Sequence, residues 1–575
     1  MNNKIKTYNI IFFSLVAAAF LFILLSNPFL RTPFDPWDHL LRIVSFHDEG
    51  KCFYFWPGNT CPERILWHEL WARVFKIIGI NDIFLWAKII HVLQFILAAV
   101  VIFYFSKTVL TILIKSPFTP LFQRGVKGDF KEGLEKFSVE KERLLIKFLS
   151  LFSVFLWVIG NGTFSEFQQA WIMWYSVTHQ GLTIPLFWYI TALTIKIFYE
   201  TLTIKKGIFF VAQIAGASFL IAKIHPSELF YYLIILSILL LFNLIRMIRL
   251  KDRKANLISI SLIFLIMLVA IKYFNPEKAP LLSLISSDET FGQIVQKIKT
   301  MGHEIVPSED NLGLNRSDST FSEIARISQF LAIFTFIFYF LKYIFKRGKG
   351  LNLSLFICLL ASSTIFYLIP TVPFLAGLAG YIVPKDVVYR FFYVSPWFIF
   401  LPLILYKALP FLKKAFTALK VKEIKVPIFY KFAIIFITAG IVVFFSIVYL
   451  RQYYPYRTVR GNIISIVNSL DRKKVGVQYS KDDINSLGEK IKKCEQSNNG
   501  KTNIYYTGET SFVTTGVGGK AYIVRGVFRK YVYASRGYSM KDFFIAPLTK
   551  DSFFNQGLDK KYNLIDIDHC EQESE

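Results

Sequence analysis

Within Pro33-Phe34-Asp35-Pro36-Trp37-Asp38-His39-Leu40, two carboxylates and an imidazole fall inside five positions. An apolar run, Ile10–Leu30, long enough to cross a bilayer comes just before them. Acidic groups at a membrane surface must be solvated, paired or used, so they read as a functional site. Asp35 has the chemistry of a general base that takes a proton from an attacking hydroxyl. Asp38 is the second candidate, as base or as the group that positions a metal or an acceptor. His39 is a candidate substrate-binding group. Asp35 also precedes Pro36, which suits a helix cap, and capping and catalysis are compatible.

Three other groups of residues carry chemistry. In Lys385-Asp386-Val387-Val388-Tyr389-Arg390-Phe391-Phe392, Lys385 and Arg390 sit near the end of an apolar run. A guanidinium matches phosphate through paired hydrogen bonds, and the other reading of Arg390 is snorkelling to the headgroups. His225-Pro226-Ser227-Glu228 is a very short connection between two apolar runs, with Lys223 just before it. Polar groups held so tightly at membrane depth either line a cavity, which makes His225 and Glu228 candidate binding residues, or form a buried hydrogen-bonded turn with Ser227 as a cap. Glu166, Gln168, Gln169 and His179 offer ligands that, with Asp35, would suit Mg²⁺ or Mn²⁺. No spacing among them singles out a metal. Lys88 and His91 lie inside an apolar run and read as pore-facing or snorkelling.

The elements that must position these residues are mostly membrane helices. The chain is 54% hydrophobic and 17% aromatic. About eleven runs have the length of a span. They are Ile10–Leu30, Ile83–Phe105, Leu144–Ile159, Leu182–Tyr199, Gly207–Ile224, Leu229–Ile245, Leu257–Tyr273, Ile327–Ile344, Leu351–Leu368, Val387–Tyr406 and Phe432–Leu450. Every second connection is rich in Lys and Arg, from Lys4 and Lys6 to the Lys413–Lys425 stretch. Positive-inside bias then puts the N-terminus in the cytoplasm and, after an odd number of spans, residues 451–575 outside. The net charge of +26 reads as this topology signal. It does not point to nucleic acid, for which no module is visible.

Outside the spans, Glu63–Ile78 has helical apolar spacing with Trp67 and Trp71 four apart. That pattern predicts an amphipathic helix in the headgroup layer, its indoles at the interface. Lys107–Lys147 reads as a basic cytoplasmic loop. Cys52 and Cys61 share one outward loop, and Cys494 and Cys570 share the outward tail, where two disulfides are possible pairings. In the tail, Lys474–Ser480, Asn503–Gly508 and Ala521–Val527 read as strands, and Gly516-Val517-Gly518-Gly519 as a turn. The expected fold class is an all-α polytopic bundle over residues 1–450 with a small extracytoplasmic α/β domain over 451–575.

Phe34-Asp35-Pro36-Trp37-Asp38-His39 resembles the first-loop motif of oligosaccharyltransferase catalytic subunits. The multispan layout with a long acidic first outward loop is similar to the GT-C class of membrane glycosyltransferases. The resemblance implies a transferase in the cytoplasmic (inner) membrane. Its donor would be a polyprenyl-phosphate-linked sugar drawn from the membrane lipid. Its acceptor would be an extracytoplasmic glycan, lipid or protein. The tail has no Trp, unlike the Trp-Trp-Asp-bearing C-terminal domain of the oligosaccharyltransferases, so recognition of a peptide sequon is not expected. An O-antigen-type polymerase or ligase would rely on His303 and Arg316 in the Asn275–Ser322 segment. A lipid or solute transporter would show paired inverted repeats, and no convincing pair is visible.

Overall fold

The computed structural model describes residues 39–40, 42–43, 46–47, 66–80, 83–114, 144–154, 156–157, 177–249, 254–273, 290–305, 351–383, 388, 390–391, 394–404 and 406, together with six short strands in the tail. Asp35, Asp38, Lys385, Glu166, Gln168, Gln169 and Arg316 lie outside the described residues. So do the expected spans Ile10–Leu30, Ile327–Ile344 and Phe432–Leu450 and both proposed cysteine pairs.

The described residues are mostly helical. The helices are α1 (Leu66–Ile78), α2 (Ile83–Ile114), α3 (Gln180–Tyr199), α4 (Ile204–Ile224), α5 (Ser227–Arg249), α6 (Lys254–Tyr273), α7 (Phe291–Ile305), α8 (Leu351–Thr371) and α9 (Pro373–Gly380). Among the described residues, four stretches are long and apolar enough to cross a membrane: Leu85–Ile114, Gln180–Tyr199, Ile204–Ile224 and Ser354–Thr371. Leu144–Val154, Ser227–Asn243 and Asn256–Ile266 are shorter apolar helices. The chain divides into two compact units, one of residues 1–95, 172–179 and 450–575, the other of 96–171 and 180–449.

In the second unit, α3 packs on α4 and α5, α6 packs on α4, and α8 packs on α5 and α9. Polar groups lie inside this bundle among large buried apolar ones, and further large apolar side chains face outward. Phe209, Phe219 and Leu241 are exposed, whereas Asn243, Ser354 and Asn256 are buried. That arrangement suits lipid, where buried side chains must satisfy one another. Asn243 of α5 donates to the Tyr199 hydroxyl of α3 at 2.9 Å. It accepts from Ser354 of α8 at 2.7 Å. Thr194 and Tyr232 meet at 2.6 Å. These bonds tie three apolar helices together where hydrophobic burial alone gives little preference.

Helix ends follow local chemistry. Thr203 caps α4, its hydroxyl accepting from the Lys206 amide. Pro226 disfavours helical backbone at the residue before it, and His225 is accordingly extended at φ −156°, ψ 90°. α4 therefore stops at Ile224, and α5 restarts at Ser227 with Glu228 in its first turn.

Three expectations need correction. The expected span Val387–Tyr406 is not one continuous α-helix. Pro396–Ile399 is a 3₁₀ turn entered through extended Ser395, and α-helix starts only at Phe400. Pro396 cannot donate to a helical ladder and pushes Ser395 out of the α region. The face of α1 is also different. Trp67 is fully buried, with His68, Ala72 and Phe75, while Leu66, Leu70, Ile77 and Ile78 are exposed. Its first indole is thus packed within its own unit, where Phe75 stacks on Trp86 at 4.8 Å between centroids. Lastly, α2 continues through Lys107 to Ile114, so the basic connection begins later than its charges imply.

Two helices appear in segments expected only to connect spans. α7 and α9 pack against each other. Glycines allow the approach: a Cβ on Gly302 would fall on the Pro373 carbonyl oxygen, and one on Gly377 on that of Ile298. In the tail, β1 (Lys474–Val475) pairs with β2 (Tyr479–Ser480). β3 (Thr502–Tyr506), β4 (Phe512–Gly516), β5 (Lys520–Ile523) and β6 (Tyr562–Asp566) form a sheet in the order β5-β4-β3-β6. β3 and β6 are parallel, and the other two pairings are antiparallel.

Candidate functional site

The second unit brings three of the sequence-predicted residues together. His225 stands in the break between α4 and α5. Its Nδ1 lies 2.6 Å from Glu228 Oε2, three residues on in the first turn of α5. Glu228 is only 2% exposed, so the carboxylate has been taken out of water and depends on its partner. Its place at a helix N-terminus is itself favourable, because unpaired amides there present positive charge.

On the other side of the imidazole, His225 Nε2 faces Arg390 Nη1 at 3.3 Å and the Gln180 amide at 3.4 Å. A guanidinium has donors only. Nε2 must therefore accept, which puts the ring hydrogen on Nδ1, where it is donated to Glu228. The tautomer follows from the network. The order Glu228–His225–Arg390 is a carboxylate, a neutral imidazole and a cation in series.

Packing fixes Arg390 in place. Its neighbours in sequence, Val388 and Phe391, are both fully buried. Phe391 meets Tyr231 and Phe230 of α5 and Phe366 of α8. The site thus draws on α3, the α4–α5 break and the segment after α9. A guanidinium and a side-chain amide, both donors, converge there beside the imidazole. Such a set binds phosphate or carboxylate oxygens.

The first unit holds a different cluster. His39 is 7% exposed and His68 1%. His39 Nδ1 is 2.7 Å from His68 Nε2. His39 Nε2 is 3.1 Å from His179 Nδ1. The three imidazoles form a row with His39 in the middle, each of its nitrogens on a different neighbour. They do not turn toward one common point, and among the described residues no group of three His, Cys, Asp or Glu is arranged to hold a metal. Sequence reasoning selected His39 as a binding residue and His179 as a metal ligand. It missed His68, which falls inside the amphipathic pattern of α1, and Gln180, which opens an apolar helix. Neither position has a spacing that marks it in advance.

Lys88 is half-buried and His91 buried on α2. His303 is exposed on α7. The buried thiol Cys358 belongs to the α3–α5–α8 polar network through Tyr199 and Asn243. Compared with known proteins, the chain matches no protein-family model and has no significant match to a curated protein sequence.

Proposed function

We propose that this chain is a membrane glycosyltransferase of GT-C type that moves a sugar from a polyprenyl-phosphate carrier to an extracytoplasmic acceptor. The supporting observation is the Glu228–His225–Arg390 series, a buried acid, an oriented imidazole and a guanidinium held where two apolar helices meet. Glycosyl transfer from a phospholipid donor needs a base for the acceptor hydroxyl and a stabilised leaving phosphate. Arg390 takes the phosphate side, with Lys385 nearby in sequence. Asp35 takes the base side, with Asp38 as its second carboxylate. In this reading the protein has about eleven spans, a cytoplasmic N-terminus and an outward α/β tail.

The test is transfer by the full-length protein in proteoliposomes supplied with a prenyl-phosphate-linked sugar. Asp35→Asn is expected to abolish transfer with expression unchanged. Arg390→Lys is expected to weaken donor use, since a point charge replaces a two-pronged donor. Turnover untouched by Asp35→Asn removes the base. Movement of the lipid without cleavage of the sugar–phosphate bond makes the protein a transporter.

A further inference from the structure

The α7–α9 pair leaves an apolar surface exposed at the end of a membrane-crossing helix. The apolar stretch of α8 ends at Thr371. α9 begins at Pro373, so only Val372 separates the two. The Val372 amide still donates to the Leu368 carbonyl at 2.8 Å, which keeps the chain on the last turn of α8. α9 therefore starts at the edge of the layer that α8 crosses. Its eight residues, Pro-Phe-Leu-Ala-Gly-Leu-Ala-Gly, include no charged or polar side chain.

Two sides of α9 are used. Ala376, Gly377, Ala379 and Gly380 are buried. Gly377 and Gly380 lie against α7, and α8 packs alongside. The remaining side carries Phe374, 40% exposed, with Leu378 half-buried one turn on. Val372 is 36% exposed. The backbone suits an apolar setting. Pro373 has no amide hydrogen to satisfy. At the other end, the Tyr381 and Val383 amides turn back to the Gly377 and Ala379 carbonyls at 3.2 and 2.8 Å. Carbonyls paired within the chain are what hydrocarbon demands.

α7 is built the other way. Ile298 and Gly302 are buried, whereas Gln293, Gln296, Thr300 and His303 are exposed. The charged groups of the pair, Lys297, Lys299 and Glu304, are all on α7 and all exposed. Phe291, two turns before Ile298 on the same side, is 81% exposed. A helix with one apolar side and a charged back belongs where headgroups meet acyl chains. The uncovered face of α9 adjoins the end of a span without a break, and charge is confined to the back of α7. Lipid acyl chains match that face.

The contact also fixes a side. As a span, α8 has Leu351 at one membrane face and Thr371 at the other. Its first turn meets the end of α3, where Ser354 Oγ lies 3.2 Å from the Tyr199 hydroxyl, and α4 starts just after that end. α7, held against α9, shares the face of Thr371. Lys299 of α7 and Lys205 in the first turn of α4 are both exposed, and they fall on opposite faces.

We propose that α7 and α9 are seated together in the bilayer surface, with Val372, Phe374 and Phe291 among lipid acyl chains and the charged back of α7 in water, on the membrane face opposite Lys205. This holds whether or not the chain transfers a sugar.

The experiment uses the full-length protein and a small fluorescent maleimide on Phe374→Cys or Lys299→Cys, with the signal of the unaltered chain subtracted. In phosphatidylcholine vesicles, the label at 374 is expected to lose most of its emission when the acyl chains are brominated near the glycerol end, and little to aqueous iodide. The label at 299 is expected to do the reverse. In sealed native membrane vesicles of the two orientations, a membrane-impermeant maleimide is expected to reach Lys299→Cys in one orientation and Lys205→Cys in the other.

Iodide quenching at 374 overturns the lipid seat, because the face is then open to water. Quenching at 374 by neither agent also overturns it, because protein then covers the face. Bromolipid quenching at 299 overturns the orientation of α7. Labelling of 299 and 205 in the same orientation overturns the assignment of sides. Val372→Cys reads the same face should Phe374→Cys fail to fold.

Discussion

Phe391 sets its ring edge against Tyr231, with centroids 4.7 Å apart and planes at 64°. Both side chains are buried, and Arg390 is the residue just before the contact. The guanidinium therefore owes its place beside His225 to its apolar neighbour as well as to its own polar partner. Phe391→Ala is expected to destabilise the fold by about 3 kcal/mol, the low end for a buried Phe, because lipid is nearly as apolar as the core and the cavity dominates the loss. Phosphodiester binding is expected to fall with it. Phe391→Leu, which fills more of the space, should keep most of both. Thermal unfolding and prenyl phosphodiester binding, both in detergent, read the two effects separately.

The α7–α9 crossing makes a graded prediction about glycine. A methyl at Gly302 or Gly377 meets backbone carbonyl oxygens that cannot swing aside. A methyl at Gly380 meets the tip of Ile305 at 2.7 Å, which can rotate. At Gly216, inside α4, nothing lies within 4 Å. Gly302→Ala and Gly377→Ala should force the two helices apart and speed proteolysis within α7. Gly380→Ala should do little. Gly216→Ala should be neutral or stabilising by up to about 1 kcal/mol through helix propensity. Equal protease resistance in all four variants would contradict the close packing.

Part of this was legible in the residues themselves. His225, Glu228 and Arg390 stood out because charged groups beside apolar runs demand partners, and the fold makes them one another's partners. The helices α3, α4, α6 and α8 match their apolar runs to within a few residues. The misses have physical causes. Trp67 and Trp71 share the spacing of an interfacial pair, but spacing does not say which side of an amphipathic helix meets protein, and in α1 Trp67 does. Apolar content across Val387–Tyr406 satisfies a span by length, yet Pro396 changes the backbone without changing hydropathy. α9 is eight residues of Gly, Ala, Leu, Phe and Pro. It has no polar face to mark a period, and its identity as a helix comes from its contact with α7. Gln180 and His68 acquire partners only through tertiary structure.

Asn256 offers a test of how α6 is joined to the end of α3. Its amide nitrogen donates to the Ile197 and Glu200 carbonyls at 2.5 and 2.7 Å, and its oxygen accepts from the Leu202 amide at 3.4 Å. One buried side chain thus satisfies carbonyls that the end of α3 leaves without helical partners. Asn256→Ala is expected to cost about 2 kcal/mol, since it strands buried polar groups. Asn256→Leu restores volume but no donor, so it should be no better. Recovery of stability by Leu would mean that packing, and not these bonds, holds the connection. Unfolding of the two variants in the same detergent decides.

The histidine row makes a prediction about hydrogens that needs no knowledge of substrate. A neutral imidazole carries one hydrogen, so His39 donates from one nitrogen and accepts at the other. If His39 donates from Nδ1, then His68 accepts at Nε2 and holds its hydrogen on Nδ1, while His179 must donate from Nδ1 into His39 Nε2. If His39 donates from Nε2, every assignment reverses. All three rings must then be Nδ1–H or all three Nε2–H, because the contacts pair unlike nitrogens throughout. ¹⁵N imidazole spectra of the full-length protein in mildly alkaline buffer should show one shared tautomer for His39, His68 and His179. His39→Gln keeps an acceptor and a donor on one side chain and should preserve most of the stability. His39→Phe keeps neither and should cost about 2 kcal/mol. A mixed set of tautomers among the three neutral rings would break the row, for two lone pairs or two hydrogens would then face each other across one of its contacts.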